Sequence, residues 1–280
     1  MSDLEALGED DVRLSGEEAG EGAAVVLLHG LTATRRYVVM GSRMLERGGH
    51  RVIAYDARGH GRSSPAPTPA AYEYDDLGAD LAAVLEARQV DRAVLVGASM
   101  GAHTVVRFAL DAPDRVAGLV VVTPSFDPRE PPDAAALARW DALAAGLRRD
   151  GVEGFVAAYG EPPVPARWRS TVYQVMRQRL SAHEHPEALA DALSAVPRSQ
   201  PFERLDELGR IRSPTVVVAS RDEADPGHPL AVGRAYAERI PGARLISEAP
   251  GESPLAWQGG RLSRVIAEVA AGEDGDEHGR

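Results

Sequence analysis

The sequence predicts a doubly wound α/β fold with a mostly parallel sheet, and three observations carry that reading. Short runs apolar on both faces alternate with longer stretches of helical spacing. The alternation breaks once, in a proline-rich middle third. No stretch reads as an internal repeat or a membrane span. The apolar runs are Ala24 to Leu28, Arg51 to Ala54, Ala93 to Val96, Leu119 to Val122, Thr215 to Ala219 and Leu245 to Ile246. Between them, Tyr37 to Arg47, Asp75 to Arg88, Met100 to Leu110, Leu230 to Arg239 and Gly260 to Ala271 carry helical spacing, long enough for the crossovers that parallel strands require. From Thr123 to Ser213 the rhythm is lost, and prolines such as Pro124, Pro128, Pro162 and Pro165 separate the helical stretches Asp133 to Arg149 and Ala166 to His183. The expected organisation is a core of residues 1–123 and 214–280 with a helical lid, 124–213, inserted in it. The acidic ends, 1–10 and 272–280, are expected to fray.

A chain of 280 residues, 44% of them hydrophobic, can bury one large core. Its formal net charge of -11 repels nucleic acid and anionic membrane surfaces, which leaves a small molecule, neutral or cationic, as the natural partner. The absence of cysteine excludes disulfides, thiolate nucleophiles and thiolate metal sites, and it fits a reducing cytoplasm. The opening Met-Ser-Asp-Leu-Glu lacks the basic start and apolar run of a signal peptide. No cofactor or metal is expected, and nothing in the sequence fixes an oligomeric state.

Three motifs follow three of the apolar runs. The run ending at Val96 leads into Gly97-Ala98-Ser99-Met100-Gly101 and then a helical stretch. A G-x-S-x-G between strand and helix is the pattern of a nucleophile elbow, in which glycines allow a strained turn that lifts the serine oxygen above the sheet. Leu28-His29-Gly30-Leu31-Thr32 ends the first run, and Asp56-Ala57-Arg58-Gly59-His60-Gly61-Arg62-Ser63 follows the second. In this order the motifs resemble the α/β-hydrolase fold family, in particular its small esterase, haloperoxidase-like and C–C-bond hydrolase branches, and the resemblance runs from Ala24 to Ala271. It implies Ser99 as nucleophile and the backbone amides of Leu31 and Met100 as the oxyanion hole. His29 is expected to pack and hydrogen-bond locally, and Asp56 to Ser63 to shape a loop in which Arg58 and Asp56 pair or cap.

The family places its acid after the strand Thr215 to Ala219, where this chain reads Ser220-Arg221-Asp222-Glu223-Ala224-Asp225-Pro226-Gly227-His228-Pro229. Spacing from Pro214 favours Asp222 or Glu223, and the proline pattern favours Asp225; the alternative role is a helix cap. The general base departs from the family. A Gly-His is usual after the last strand, but here the sequence is Ala249-Pro250-Gly251-Glu252-Ser253, and the only later histidine is His278. An unassisted hydroxyl is a poor nucleophile at neutral pH, so either the base has moved or the site does not hydrolyse. His228 is the relocated base of choice. Glu252, Asp222 or Asp225 would orient it, with Asp127 a lesser acid. His103 is expected to be packed, and His183 with His185 is not spaced as a metal pair. Trp140, Phe155, Tyr159, Trp168, Tyr173, Met176 and Leu180 are expected to pack the lid on the sheet with a few roofing the pocket, and Trp257 and Gln258 to line the cleft or pack. The reaction implied is cleavage of a small carboxylic ester, thioester or lactone. The alternative is a non-hydrolytic binding or lyase-type protein, and C–C cleavage or peroxidative chemistry stands third.

Overall fold

The computed structural model of the chain describes residues 2–253, 255–257 and 259–277. Its eight strands are β1 (Ser2–Leu7), β2 (Arg13–Ala19), β3 (Ala23–Leu28), β4 (His50–Tyr55), β5 (Ala93–Ala98), β6 (Val116–Val122), β7 (Thr215–Val218) and β8 (Arg244–Ile246). They form one sheet in the order β1-β2-β4-β3-β5-β6-β7-β8. From β4 to β8 all pairings are parallel, and β1 and β2 add an antiparallel edge. The strands read from the apolar runs are the parallel ones: β6 is buried at all seven positions and β7 at all four, as a sheet covered on both faces demands.

The N-terminal expectation is corrected. Residues 2–7 do not fray but form β1, in which Leu4 and Ala6 face inward while Asp3 and Glu5 face solvent. The acidic composition hid a period-two strand, because a half-exposed edge strand puts its charges on the open side. At the other end, α8 (Gly260–Glu277) continues beyond the expected stop at Ala271, and His278 lies outside the described residues. Tyr37 to Arg47 is not one helix. A 3-10 turn at Arg35–Tyr37 and the four-residue α1 (Met44–Arg47) are separated by Met40 and Gly41, both at positive φ.

The remaining helices are α2 (Tyr74–Ala87), α3 (Met100–Asp111), α4 (Ala134–Tyr159), α5 (Ala166–Leu180), α6 (Pro186–Ala195) and α7 (Leu230–Arg239). Between β6 and β7 the chain leaves the sheet for α4, α5 and α6, of which α6 has no counterpart among the helices read from sequence. Leu143, Leu147, Phe155, Leu180 and Leu189 of this insertion share a buried cluster with Leu31, Tyr74, Leu77 and Met100 of the sheet domain. The helices are thus packed over the end of the sheet that carries Ser99.

Arg58 is also corrected: it does not pair with Asp56. Its guanidinium is 2% exposed and bonds Asp80 through two nitrogens, at 2.7 and 2.8 Å, with Asp10 at 3.0 Å and the Ala71 carbonyl at 3.1 Å completing its donors. A buried guanidinium needs that full set of acceptors, and only the edge around β1 and α2 supplies it. Asp56 turns instead to Arg35 and to the amides of Arg35 and Arg62.

Three histidine rings join the insertion to the sheet domain. His60 lies 5.1 Å from His29 and 5.5 Å from His183, centroid to centroid, and Nδ1 of His183 accepts from the Gly61 amide at 2.9 Å. Burial holds His29 and His183 down to a pKa of about 3, and the same desolvation puts His103 at about 3. Each is neutral in the folded protein, while the unfolded chain binds the proton near pH 6.5. Folding stability is therefore intact above about pH 6.5 and falls toward pH 3, by about 1.4 kcal/mol per pH unit for each such histidine. The urea midpoint is expected to stay level from pH 7.5 to about 6.5 and then to drop toward pH 5, less so in His183→Gln; a midpoint that stays level down to pH 5 would refute the coupling.

Candidate active site

Ser99 leaves β5 at φ 52 and ψ -113, a conformation a non-glycine residue adopts only under constraint, and α3 begins at the next residue. The glycines two residues either side make the turn possible. A Cβ on Gly97 would stand 2.0 Å from the Gly101 carbonyl oxygen, and one on Gly101 would stand 2.4 Å from the Leu28 oxygen. Strand and helix can approach this closely only without side chains at both positions. The Ser99 amide donates to Val122 on β6 at 2.9 Å, which ties the turn to the centre of the sheet.

The Ser99 hydroxyl lies 2.8 Å from Nε2 of His228, and Nδ1 of His228 lies 2.9 Å from Oδ2 of Asp225. Both partners come from the loop between β7 and α7, three residues apart. The chain reaches back far enough because the His228 amide donates to the Asp225 carbonyl at 3.1 Å, closing a tight turn. Burial opposes the charged imidazolium of His228, but the charge of Asp225 and its hydrogen bond outweigh that and leave the pKa above the ordinary 6.5. Burial likewise pushes Asp225 up, and His228 outweighs it, holding the carboxyl below the usual range. Their side chains are 25% and 30% exposed, so the pair remains reachable from solvent.

The other carboxylates named from the sequence are occupied elsewhere. Asp222 accepts from the Leu230 amide at 2.7 Å and caps α7, and Glu223 accepts from the Gly251 amide. Glu252 does not touch His228: it folds back on the Ala249 amide and pairs with Arg261 at 2.7 Å, because its loop closes on itself through a turn from Ala249 to Glu252. Asp127 pairs with Arg129. His103 is packed, with Nε2 accepting from the amides of Ser125 and Phe126 and Nδ1 hydrogen-bonded to the Tyr74 hydroxyl. Trp257 is buried beneath the sheet, its indole N–H donating to Glu248, so it packs and does not line the cleft; Gln258 lies outside the described residues. Of the insertion's side chains, Phe155 and Leu180 are buried, Trp140 and Met176 pack against them, and Tyr159 stacks on Phe155 while remaining partly exposed.

Leu31 and Met100 flank the serine from two directions. The amides of both are without an acceptor among the described residues. The direction of the Leu31 N–H is set through its peptide plane. Nε2 of His29 accepts from the Ala57 amide at 2.9 Å, so the ring proton sits on Nδ1 and is donated to the Gly30 oxygen at 2.9 Å. The Ala33 amide donates to the same oxygen. In a trans peptide the N–H opposes the carbonyl, so two bonds on Gly30 fix where Leu31 points.

A separate cavity of about 460 Å³ is lined by Thr34, Arg35, Arg43, Glu46 and Asp56 and contains none of Ser99, His228 or Asp225. Among the described residues no group of three or more histidine, aspartate and glutamate side chains is placed to hold a metal ion, and no helix is long and apolar enough to cross a membrane.

The sequence profile of the alpha/beta hydrolase fold family matches residues 23–259. The chain is 34% identical over 205 residues to a putative carbamate hydrolase RutD of Variovorax paradoxus, covering 73% of this chain and 75% of that one. It is 31% identical over 248 residues to a 2-hydroxy-6-oxononadienedioate/2-hydroxy-6-oxononatrienedioate hydrolase of Pseudomonas putida, covering 85% and 84%. The solved structure of Est816, described as an N-acyl homoserine lactone degrading enzyme, superimposes with a TM-score of 0.73 at 27% identity, over 96% of this chain and 99% of that one. Fold, motif order and these similarities agree: the chain is a hydrolase and belongs to the α/β-hydrolase fold family.

Proposed function

We propose that the chain is a cofactor-free serine hydrolase that cleaves a small carboxylic ester, thioester or lactone through an acyl-enzyme on Ser99. The observation that carries this reading is the unbroken chain of hydrogen bonds from Ser99 to His228 to Asp225. In it His228 is the general base and Asp225 orients it, so acid and base share one loop and Glu252 has no catalytic part. The helical insertion, residues 124–213, acts as the lid over the cleft.

Each step follows from that geometry. His228 Nε2 takes the Ser99 proton as Oγ attacks the acyl carbon, and the Leu31 and Met100 amides receive the negative charge that develops on the carbonyl oxygen. The imidazolium is stabilised by Asp225 and returns the proton to the leaving alcohol or thiol as the tetrahedral species collapses. Water, deprotonated by the same ring, then attacks the ester on Ser99, and the carboxylic acid leaves. A lactone follows the same course, except that its alcohol stays tethered to the acyl chain throughout and a single hydroxy acid is released.

A fluorophosphonate probe is expected to add one adduct to the intact protein, absent in Ser99→Ala, because the probe needs both an activated serine and an oxyanion hole. No adduct in the unaltered protein, read by mass spectrometry beside a reactive control esterase, would overturn the reading. His228→Ala should lower kcat on 4-nitrophenyl acetate by about 10³-fold or more, since members of such a unit fail together.

The pH dependence has a defined sign. The base works as neutral imidazole, so kcat/KM should rise with pH through a midpoint above 6.5. In Asp225→Asn the charge that raises His228 is gone, and the midpoint should move to lower pH while kcat falls. A midpoint that stays put in Asp225→Asn would show that this carboxylate is not the partner of the titrating group.

His29→Ala should lower kcat by about 10-fold or more with KM little changed, since it frees the Gly30–Leu31 peptide whose N–H faces the oxyanion. Equal loss in KM and none in kcat would assign His29 to substrate binding instead.

A further inference from the structure

Helix α5 carries two arginines with opposite fates. Arg177 and Arg179 are two residues apart, roughly 200° around a helix. Arg177 faces outward and pairs with Glu153 through two nitrogens, at 2.7 and 2.8 Å. Arg179 faces inward: its guanidinium lies over the ring of Tyr37, 5.4 Å from the centroid, and its Nε is sealed from solvent with no hydrogen-bond partner. Among the described residues the Arg179 side chain makes no ion pair. Buried Arg58 gives the contrast, since its donors are met by Asp80, Asp10 and a carbonyl.

Arg179 stands beside the catalytic groups. Tyr37 belongs to the segment that follows Leu31, and the field of Arg179 reaches Asp225, His228 and His29. Desolvation lowers its pKa, with the charges of Tyr37 and Asp225 acting the other way. Arg179 is half-buried, its Nε sealed from solvent and its charge without an ion pair, a cost to the empty protein that an anion on its terminal nitrogens relieves.

We propose that Arg179 is a substrate-binding residue that receives a free carboxylate, so that the preferred substrate is an ester, thioester or lactone bearing a carboxylate away from the scissile bond. The proposal rests on the serine hydrolase reading and names its substrate class. A single planar fork matches a carboxylate with two parallel N–H···O bonds. The field of Asp225 at the same place disfavours a dianion such as a phosphate monoester and admits a monoanion. The net charge of -11 argues for a neutral or cationic ligand only at a distance, because solvent-exposed charges are screened beyond about 8 to 10 Å. Inside the cleft the nearby guanidinium decides.

The test compares two esters of equal chain length, mono(4-nitrophenyl) glutarate with a free carboxylate and 4-nitrophenyl valerate without one. The unaltered protein should favour the glutarate, and the ratio of the two kcat/KM values should fall about 30-fold or more in Arg179→Gln, chiefly through KM. Arg179→Lys should recover part of it. A ratio that stays the same in Arg179→Gln, with both esters affected alike or neither affected, overturns the proposal. Binding without turnover separates this from failure of the hydrolase reading: monomethyl glutarate is titrated calorimetrically into Ser99→Ala and into Ser99→Ala with Arg179→Gln. Affinity lost at least 10-fold in the double variant supports the carboxylate site even if no ester is hydrolysed, and equal affinity in the two overturns it. The melting temperature of Arg179→Gln controls for folding, and a fall of several degrees would assign Arg179 a structural role.

Discussion

The backward-bent turn at Ser99 is the constraint on which the arrangement above the sheet depends. At φ 52 the residue could not persist alone, since the strain of such a conformation is of the order of 1–3 kcal/mol. It is held because β5 and α3 are pinned on both sides: Ser99 N to Val122 on one flank, and the Gly101 amide to His29 on the other. That second bond links the serine turn to the loop bearing Leu31. Ser99 and the Leu31 loop are therefore set by a single rigid contact between neighbouring strand ends, and Gly97 and Gly101 are the residues that let the contact close.

From that anchor, the distance to His228 is a matter of strand order. β7 lies two places from β5 in the sheet, about 10 Å away, and the loop after it must project a side chain across β6. His228 does this from the far side of a turn in which Asp225 is already paired to it. The two side chains thus move as one body, so the relative geometry of imidazole and carboxylate does not depend on the loop after β8. That loop is spent on itself, with Glu252 on Arg261 and buried Glu248 bridging the Arg221 amide and the Trp257 indole. In this way Glu248 steadies the His228 loop from below.

Much of the architecture was legible because its signals are local. Continuous apolar runs mark strands buried on both faces, and G-A-S-M-G between a strand and a helix marks the strained serine. The parts that escaped are those where the decisive partner is distant in sequence. β1 reads as an acidic tail until β2 supplies the face for Leu4 and Ala6. Proximity along the chain pairs Arg58 with Asp56, yet Asp80 and Asp10 reach it across the fold. Among Asp222, Glu223 and Asp225, spacing along the chain could not choose, since one short loop uses Asp222 to cap α7 and Asp225 to meet His228. The pairing of His228 with Ser99 was legible only because the loop after β8 carries Glu252 and no histidine. Arg179 carried no signal at all, because nothing in the sequence says that one arginine of α5 pairs at the surface and another is left without an acceptor.

Those two arginines also bear on how the insertion serves the site. Leu143, Phe155 and Leu180 of the insertion share one buried cluster with Leu31 and Met100, so packing the insertion restrains the loop that carries Leu31. The histidine contact from His183 to Gly61 and His60 holds the far end of α5 to the sheet domain, and His60 in turn reaches the Leu31 carbonyl at 2.7 Å. Between these two attachments lies Arg179. A charge placed there is held in register with the sheet on both sides, so an anion bound to it would sit at a fixed distance from Ser99, as selection by shape and charge together requires. The same attachment explains why the Arg179 Nε stays sealed without an acceptor: helix α5 cannot rotate it toward solvent without pulling Leu180 from the core.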